Sequence, residues 1–377
     1  MADHAQILVI GGGIAGLGAA YALANHHSKP MVTVLEAEPS LAYHTTGRSA
    51  AQLIENYGAM SVRSLTKASL AYLRNPPSDL ADHPFLEVRG LLRVAPHDQL
   101  DRFDQLVAEG RESNTEQVEL SVAQAVEKIP ALRPDQFEAA LFEPDSSSID
   151  VAGLHQSFVR GARLGGAAIN LDHRVTKVSP DGAGWRIETD SGEVRYADIV
   201  VNCAGAWGDV VAQMAGVEPI GLRPLRRTAF MVTSPYRDSA YWPLMSDAET
   251  NWYVKGDGPQ LLCSPADETL SEPVDAKPEE IDIAIAIDRI NTATTLGIRS
   301  IASSWAGLRT FGPDGSMIIG PDPDQPSFVW CVGQGGTGIQ TSRGAGQLVA
   351  DLVFDGEPGP LFDGSLQLDG LLPDRFS

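Results

Sequence analysis

Apolar residues recur along this chain with two periods, and the first stretch combines both. From Ile7 to Ala24 eighteen residues carry no charge, the length that a membrane-spanning helix needs. Five glycines (Gly11, Gly12, Gly13, Gly16 and Gly18) interrupt it, and the charge that precedes it is the acid Asp3 rather than a basic cluster. The pattern predicts a buried strand at 7–10, a tight turn and a helix from Ile14 that fades at Asn25-His26-His27. A signal peptide or membrane span is not expected. Residues 31–35 predict a second strand ending at Glu36. A strand–helix–strand unit of about 30 residues is right-handed and lays its second strand beside the first.

The same periods predict further helices at 60–74 (stopped by Asn75-Pro76-Pro77), 98–109, 121–128 (capped by Ser121), 152–164, 278–290 and 336–352, with one more ending at Gly216. Strands are predicted at 91–94, 174–178, 185–189, 194–196, 198–202, 222–232, 253–255, 261–263, 303–310, 317–319 and 328–332. Asp181-Gly182 and Ser191-Gly192 supply hairpin turns. No internal repeat or low-complexity linker is present. The N- and C-terminal parts read as one α/β layer, with an antiparallel sheet inserted in two pieces.

Composition narrows the class. The 377 residues include 28 Lys and Arg against 49 Asp and Glu, a net charge of −21, and 43% are hydrophobic. A core of that size and roughly two domains are expected. The acidity repels a phosphate backbone, so nucleic acid is not an expected partner. Cys203, Cys263 and Cys331 are isolated, with no CxxC, which excludes a disulfide framework and a thiolate zinc site of usual spacing. A reducing, cytoplasmic setting is expected, and no metal site.

Gly11-Gly12-Gly13-Ile14-Ala15-Gly16 matches G-x-G-x-x-G, follows a strand, opens a helix, and has an acid, Glu36, twenty residues beyond Gly16. Gly11 allows the tight turn, Gly13 the approach of a pyrophosphate, and Gly16 the packing of helix on strand. The helix N-terminus offers free N–H groups and partial positive charge to the phosphates. Glu36 accepts hydrogen bonds from a ribose and repels a 2′-phosphate. These glycines alone do not separate NAD from FAD. The segment Tyr43-His44-Thr45-Thr46-Gly47-Arg48-Ser49-Ala50-Ala51 does: it places small, hydroxylated and cationic residues where FAD crosses the sheet. Gly335-Gly336-Thr337-Gly338-Ile339-Gln340 is a second glycine turn opening a helix, whose N-terminus would stabilise negative charge on a reduced flavin.

On Tyr43–Ala51, Tyr57-Gly58, Val201–Trp207, Pro224–Phe230, Trp305–Arg309 and Gln334–Ser342, the chain resembles the FAD-dependent D-amino-acid oxidase superfamily (the glycine/sarcosine oxidase group). Within it the likeness is to bacterial D-arginine dehydrogenase. The resemblance implies an α/β fold: a Rossmann-like FAD domain of the glutathione-reductase type (1–85, 140–215 and 303–377). Interleaved with it is an α+β substrate domain on a mostly antiparallel sheet (86–139 and 216–302). It implies non-covalent FAD held by Gly11, Gly13, Ile14, Ala15, Gly16, Glu36, Ala37, Thr45, Thr46, Gly47, Arg48, Ser49, Ala50, Ala51, Val175, Ala204, Gly205, Trp207, Gly335, Thr337, Gly338, Ile339 and Gln340.

Arginine points to the substrate. Arg223, Arg226 and Arg227 share one strand, with Arg226 on the opposite face from the other two by alternation, and Arg309 ends another strand. A guanidinium fork suits a carboxylate. The resemblance assigns that carboxylate to Arg226 and Arg309, sets Tyr57 and Tyr253 over the flavin, and gives the amino group to Gly336. Leu91 and Ile54 stand where D-arginine dehydrogenase has a glutamate and a threonine, and Gln52 where it has a histidine. Ile54, Leu91 and Leu244 are expected to form an apolar side-chain pocket, where an unpaired guanidinium would cost several kcal/mol. The expected reaction is oxidation of a neutral or apolar D-amino acid by hydride transfer to flavin N5, giving a 2-oxo acid and ammonia. The strand 260–263 lacks the lysine of sarcosine-type oxidases, Lys255 lies nearby but off its position, and 307–312 lacks a tethering cysteine. A quinone or another acceptor rather than oxygen is expected. Oxidation of N-methyl or cyclic secondary amines, and a flavin subunit of a heteromeric dehydrogenase, are the alternative readings.

Overall fold

The computed structural model describes residues 3–376 apart from 114, 363 and 365. Its first sheet is organised around Asp3–Ile10, which pairs in parallel with Val194–Asn202 on one side and Val32–Leu35 on the other. Between the first two strands runs the helix Ile14–Ala24, so the expected strand–helix–strand unit is present with its expected neighbours. Ala168–Asn170 extends the sheet beyond Val32–Leu35. The strands read separately at 194–196 and 198–202 are one strand of nine residues. Its first half pairs antiparallel with Gly184–Thr189 and its last residues pair in parallel with Phe328–Val332.

Helices Ile14–Ala24, Met60–Arg74, Val151–Leu164 and Gly338–Phe354 cover one face of this sheet. Leu17 and Leu23 are fully buried there, each stabilising the fold by about 2 kcal/mol. The other face is closed by Gly208–Ala215 and the 175–189 hairpin. The capping expected at Ser121 is a reciprocal box: its hydroxyl accepts from the Gln124 amide and the Gln124 side chain accepts from the Ser121 N–H.

The second sheet has nine strands and is mostly antiparallel. Its strands alternate strictly. Leu92, Phe230, Val232, Met245, Val254, Leu261 and Cys263 pack beneath the helix Glu280–Ala293. Leu91, Ala229, Met231, Leu244, Tyr253 and Leu262 cluster on the opposite face. Period-2 patterning buried on both faces produces this division. Two strands fall on the far side of the expected boundaries at 140 and 303. Ala139–Glu143 pairs with Leu91–Ala95, and Ser303–Phe311 pairs along Arg223–Thr233, so both belong to the second sheet. Among the described residues no helix is long and apolar enough to cross a membrane.

Candidate active site

A cavity open to solvent runs between the two sheets. Its far end is lined by Glu36, Ala37, His173 and Val175, its middle by Gly11, Gly13, Ile14 and Ala15 of the turn and by Thr45, Thr46, Arg48 and Ser49, and its near end by Arg227, Tyr253, Arg309 and Gly336. Ala50, Ala204, Gly205, Trp207, Gly335, Gly338 and Ile339 also line it.

The residues of the turn explain its shape. Gly11 has φ +112° and a Cβ there would lie 2.5 Å from the Cys203 carbonyl oxygen. A Cβ on Gly16 would lie 1.9 Å from the Gly11 oxygen, so neither position accepts a side chain. Gly16 therefore shapes the turn from behind without lining the cavity. The Gly12 N–H donates to Glu36 Oε2 at 2.6 Å and the Glu38 N–H to Glu36 Oε1 at 2.9 Å, which fixes the carboxylate at the end of its strand. The Ile14 N–H donates to Thr46 Oγ1 at 3.0 Å. A glycine cradle, a helix N-terminus and a fixed acid at the strand end fit a dinucleotide. The seventeen-residue helix Gly338–Phe354 aims a second N-terminus into the same cavity.

Several expected cofactor residues support the wall from behind. Gly47 and Ala51 line an adjoining cavity instead, which Thr46 and Ser49 share. Thr337 is buried at the start of the last helix. Gln340 Oε1 accepts from the Ile54 N–H at 3.1 Å and its Nε2 donates to the Ile54 carbonyl at 3.1 Å and to Thr66 Oγ1 at 3.0 Å. It ties the 52–54 segment to the helix and does not face the cavity. His44 pairs with Glu38 at 3.1 Å and packs against Trp207, which makes it a hydrogen-bonded part of the wall.

At the near end the structure corrects the arginine assignment. Arg226 does not face the cavity. It lies on the face of Phe230 and Val232, where its Nη1 meets Glu279 and its Nη2 meets Asp282 at 2.9 Å. Burial disfavours its charge, but Glu279 and Asp282 outweigh that and raise its pKa. Arg227 faces the cavity instead, because the register sets Arg227 opposite Gly307 and Arg226 opposite Leu308. Alternation identified two faces; the pairing with Ser303–Phe311 decides which of them looks inward. Burial first, and the Arg309 charge second, hold the Arg227 pKa below its ordinary value. Gly336 lies flat against Arg309: a Cβ there would be 2.8 Å from Nη1. Tyr253 lines the cavity beside both arginines. Tyr57 is 42% exposed and lies outside the lining, although its phenol is among the groups acting on Arg227.

Leu91 and Leu244 are buried in the Tyr253 cluster, and Ile54 and Ala50 pack against it; of these four only Ala50 lines the cavity, so the expected side-chain pocket of Leu91, Leu244 and Ile54 does not open onto it. Gln52 lies off the cavity; its Nε2 donates to Ser146 Oγ at 2.7 Å. Lys255 shares the face of Tyr253 but does not line the cavity. Its ammonium donates to the carbonyls of Ala50 at 2.8 Å and Ala51 at 3.0 Å, a clamp on the wall that sequence reasoning did not find. Burial, then the charge of Arg89, bring its pKa down to about 8.

Between that value and the unfolded value of about 10.4 the unfolded chain binds more protons, so this group adds stability as pH rises and withdraws it as pH falls through 8. Lys255→Met removes the term: the parent's stability advantage over the variant should grow by about 2 kcal/mol from pH 8 to pH 10, read by urea denaturation. Loss of the clamp should also weaken FAD binding about tenfold, read by titrating apoprotein.

Residues 6–352 match the family model described as FAD dependent oxidoreductase. The chain is a member of that family, and FAD is its cofactor. It is 24% identical over 392 residues to mitochondrial dimethylglycine dehydrogenase of Rattus norvegicus, with 94% of this chain and 44% of that protein covered. To mitochondrial sarcosine dehydrogenase of Homo sapiens it is 26% identical over 375 residues, with 94% and 40% covered. The chain thus spans less than half the length of these relatives. Glycine oxidase from Bacillus cereus superposes with a TM-score of 0.80 at 20% identity, covering 96% of this chain and 98% of that one. These comparisons establish the family and the fold rather than a particular member.

Proposed function

We propose that this protein oxidises the amine of a monocarboxylic amino acid with a neutral or apolar side chain, of D configuration, to an imino acid that water hydrolyses to a 2-oxo acid and ammonia. The observation that carries this reading is the convergence of Arg227, Arg309, Tyr253 and Gly336 at one end of the cavity. Bound non-covalently, FAD supplies the hydride acceptor. The Arg309 guanidinium takes the carboxylate, and the Gly336 carbonyl accepts an N–H of the amine, which together fix the α-carbon. Tyr253 lines the site, and the apolar cluster of Leu91, Leu244 and Ile54 packed with it sets the preference for a neutral or apolar side chain. Positioning supplies most of the rate here, since no side chain has to form a bond. A cationic side chain would meet hydrocarbon at Leu91, at a cost of several kcal/mol.

A quinone or similar compound, rather than oxygen, is the electron acceptor in this reading. Lys255, the one lysine close to the site in sequence, is spent on the Ala50 and Ala51 carbonyls. A second reading, oxidation of N-methyl or cyclic secondary amines, draws on the names of the two dehydrogenase relatives. Anaerobic mixing of the FAD-loaded chain with D- and L-amino acids, sarcosine, dimethylglycine and proline, followed at the flavin absorbance, separates the two. Bleaching by D-leucine, D-methionine and D-phenylalanine at least tenfold more efficiently than by D-arginine is expected. Bleaching by the N-methyl and cyclic amines alone would replace the first reading with the second. Peroxide formed stoichiometrically in air would overturn the acceptor assignment.

A further inference from the structure

Two guanidiniums face the substrate end of the cavity, yet they are not equivalent. Among the described residues the Arg309 side chain has no hydrogen-bond or ion-pair partner. Arg227 has two. Its Nε–H donates to the Asp267 carbonyl at 2.8 Å and its Nη2 donates to Glu268 Oε1 at 2.7 Å. That occupies one edge of the fork and leaves the Nη1 side toward the cavity. The Arg227 side chain is 11% exposed while Glu268 is 53% exposed, so the acid reaches in from the rim to a buried cation. Asp267, next to it, is committed to the other face. Its carboxylate accepts from the Thr228 N–H and hydroxyl and lies 3.6 Å from Arg226 Nε. Glu268 is therefore the acid that balances charge at this end: two guanidiniums against one carboxylate leave a single positive charge.

We propose that Glu268 is the residue that restricts this site to substrates with one carboxylate. It acts through Arg227, as a positioning residue, and does not touch the substrate. A substrate carboxylate completes neutrality on Arg309. A second carboxylate brought to the Nη1 side of Arg227 would share that guanidinium with Glu268 and would leave excess negative charge in a poorly solvated site, where like charges interact strongly. Amines with one carboxylate and an uncharged remainder are the class admitted. The inference rests on the amino-acid reading above and adds the charge of the substrate to it.

The test uses non-oxidisable ligands, so it does not depend on turnover. FAD-loaded protein is titrated with propionate and with malonate, and binding is followed as a perturbation of the flavin spectrum. The parent should bind propionate at least about tenfold more tightly than malonate. Glu268→Gln keeps the shape and frees Arg227. Malonate should then gain about tenfold or more while propionate changes less than about threefold. In the double variant Arg227→Met with Glu268→Gln the malonate gain should vanish. A purely structural role for Glu268 would weaken both ligands together, and that outcome, or an unchanged ratio, overturns the proposal while leaving the amino-acid reading intact. Failure of both ligands to perturb the flavin in the parent would instead remove the amino-acid reading and this inference with it.

Discussion

Arg309→Met is expected to lower kcat/KM for the preferred amino acid on the order of 10²- to 10³-fold while leaving FAD content unchanged. The guanidinium lines the substrate end of the cavity and lies against Gly336. A substrate carboxylate stripped of water at this place needs a charged donor. Leaving such a carboxylate buried without its partner costs about 2–5 kcal/mol, and each 1.4 kcal/mol is about tenfold. The loss should fall mainly on binding, and steady-state rates with excess artificial acceptor resolve KM from kcat. Arg226→Met is the contrasting variant. Its guanidinium serves Glu279 and Asp282 on the far side of the sheet, so kcat/KM should change less than about threefold. Stability should fall by about 2 kcal/mol, because Asp282 and the nearby Asp267 lose their counter-charge. Reversal of the two effects would return the carboxylate to Arg226.

That contrast also marks how far the sequence could be read. The flavin cradle was legible because its logic is local. Strand, glycine turn, helix and Glu36 lie within about 30 residues, and each glycine has a steric cause visible in the spacing. The last helix and its glycine turn were legible for the same reason. The choice between Arg226 and Arg227 was not. It depends on a register with Ser303–Phe311, some eighty residues on, and on which face of the sheet meets the helix Glu280–Ala293. The strand Ala139–Glu143 was missed because its short apolar run, Ala-Ala-Leu-Phe, shows no alternation and ends in an acid. Glu143 is buried there in an ion pair with Arg93 across the strand pair, and no local pattern announces such a pair. Glu268 and Lys255 carried no motif either. Each acquires its role from a neighbour brought by tertiary packing: Arg227 in one case, the Ala50 and Ala51 carbonyls in the other.

The second large effect is expected at Gly16. The hypothetical Cβ lies 1.9 Å from the Gly11 oxygen and 3.3 Å from Cys203 Cβ. The first of these contacts is with backbone, so no side-chain rotation relieves it. Gly11 itself cannot retreat, since its N–H is held by the Leu35 carbonyl at 2.8 Å and its Cα faces the Cys203 carbonyl. In Gly16→Ala the turn has to open, which separates the helix Ile14–Ala24 from the first strand and moves the N–H groups away from the pyrophosphate. Overpacking of this kind costs about 1–3 kcal/mol in a side-chain core, and more is expected where only backbone can yield. FAD affinity should fall by about two orders of magnitude, so the purified variant should be nearly colourless at the flavin band. Its far-ultraviolet circular dichroism should still report a folded chain, because the second sheet and its core do not depend on the turn. Gly13→Ala is the graded control. Within the protein its added carbon meets only Thr46 Oγ1, at 3.2 Å, so the turn should keep its shape and any loss of FAD affinity should come from the carbon's intrusion on the pyrophosphate alone. A Gly16→Ala protein that is fully yellow would mean that the cofactor does not depend on this turn, and the assignment of the cavity's middle to the pyrophosphate would fall with it.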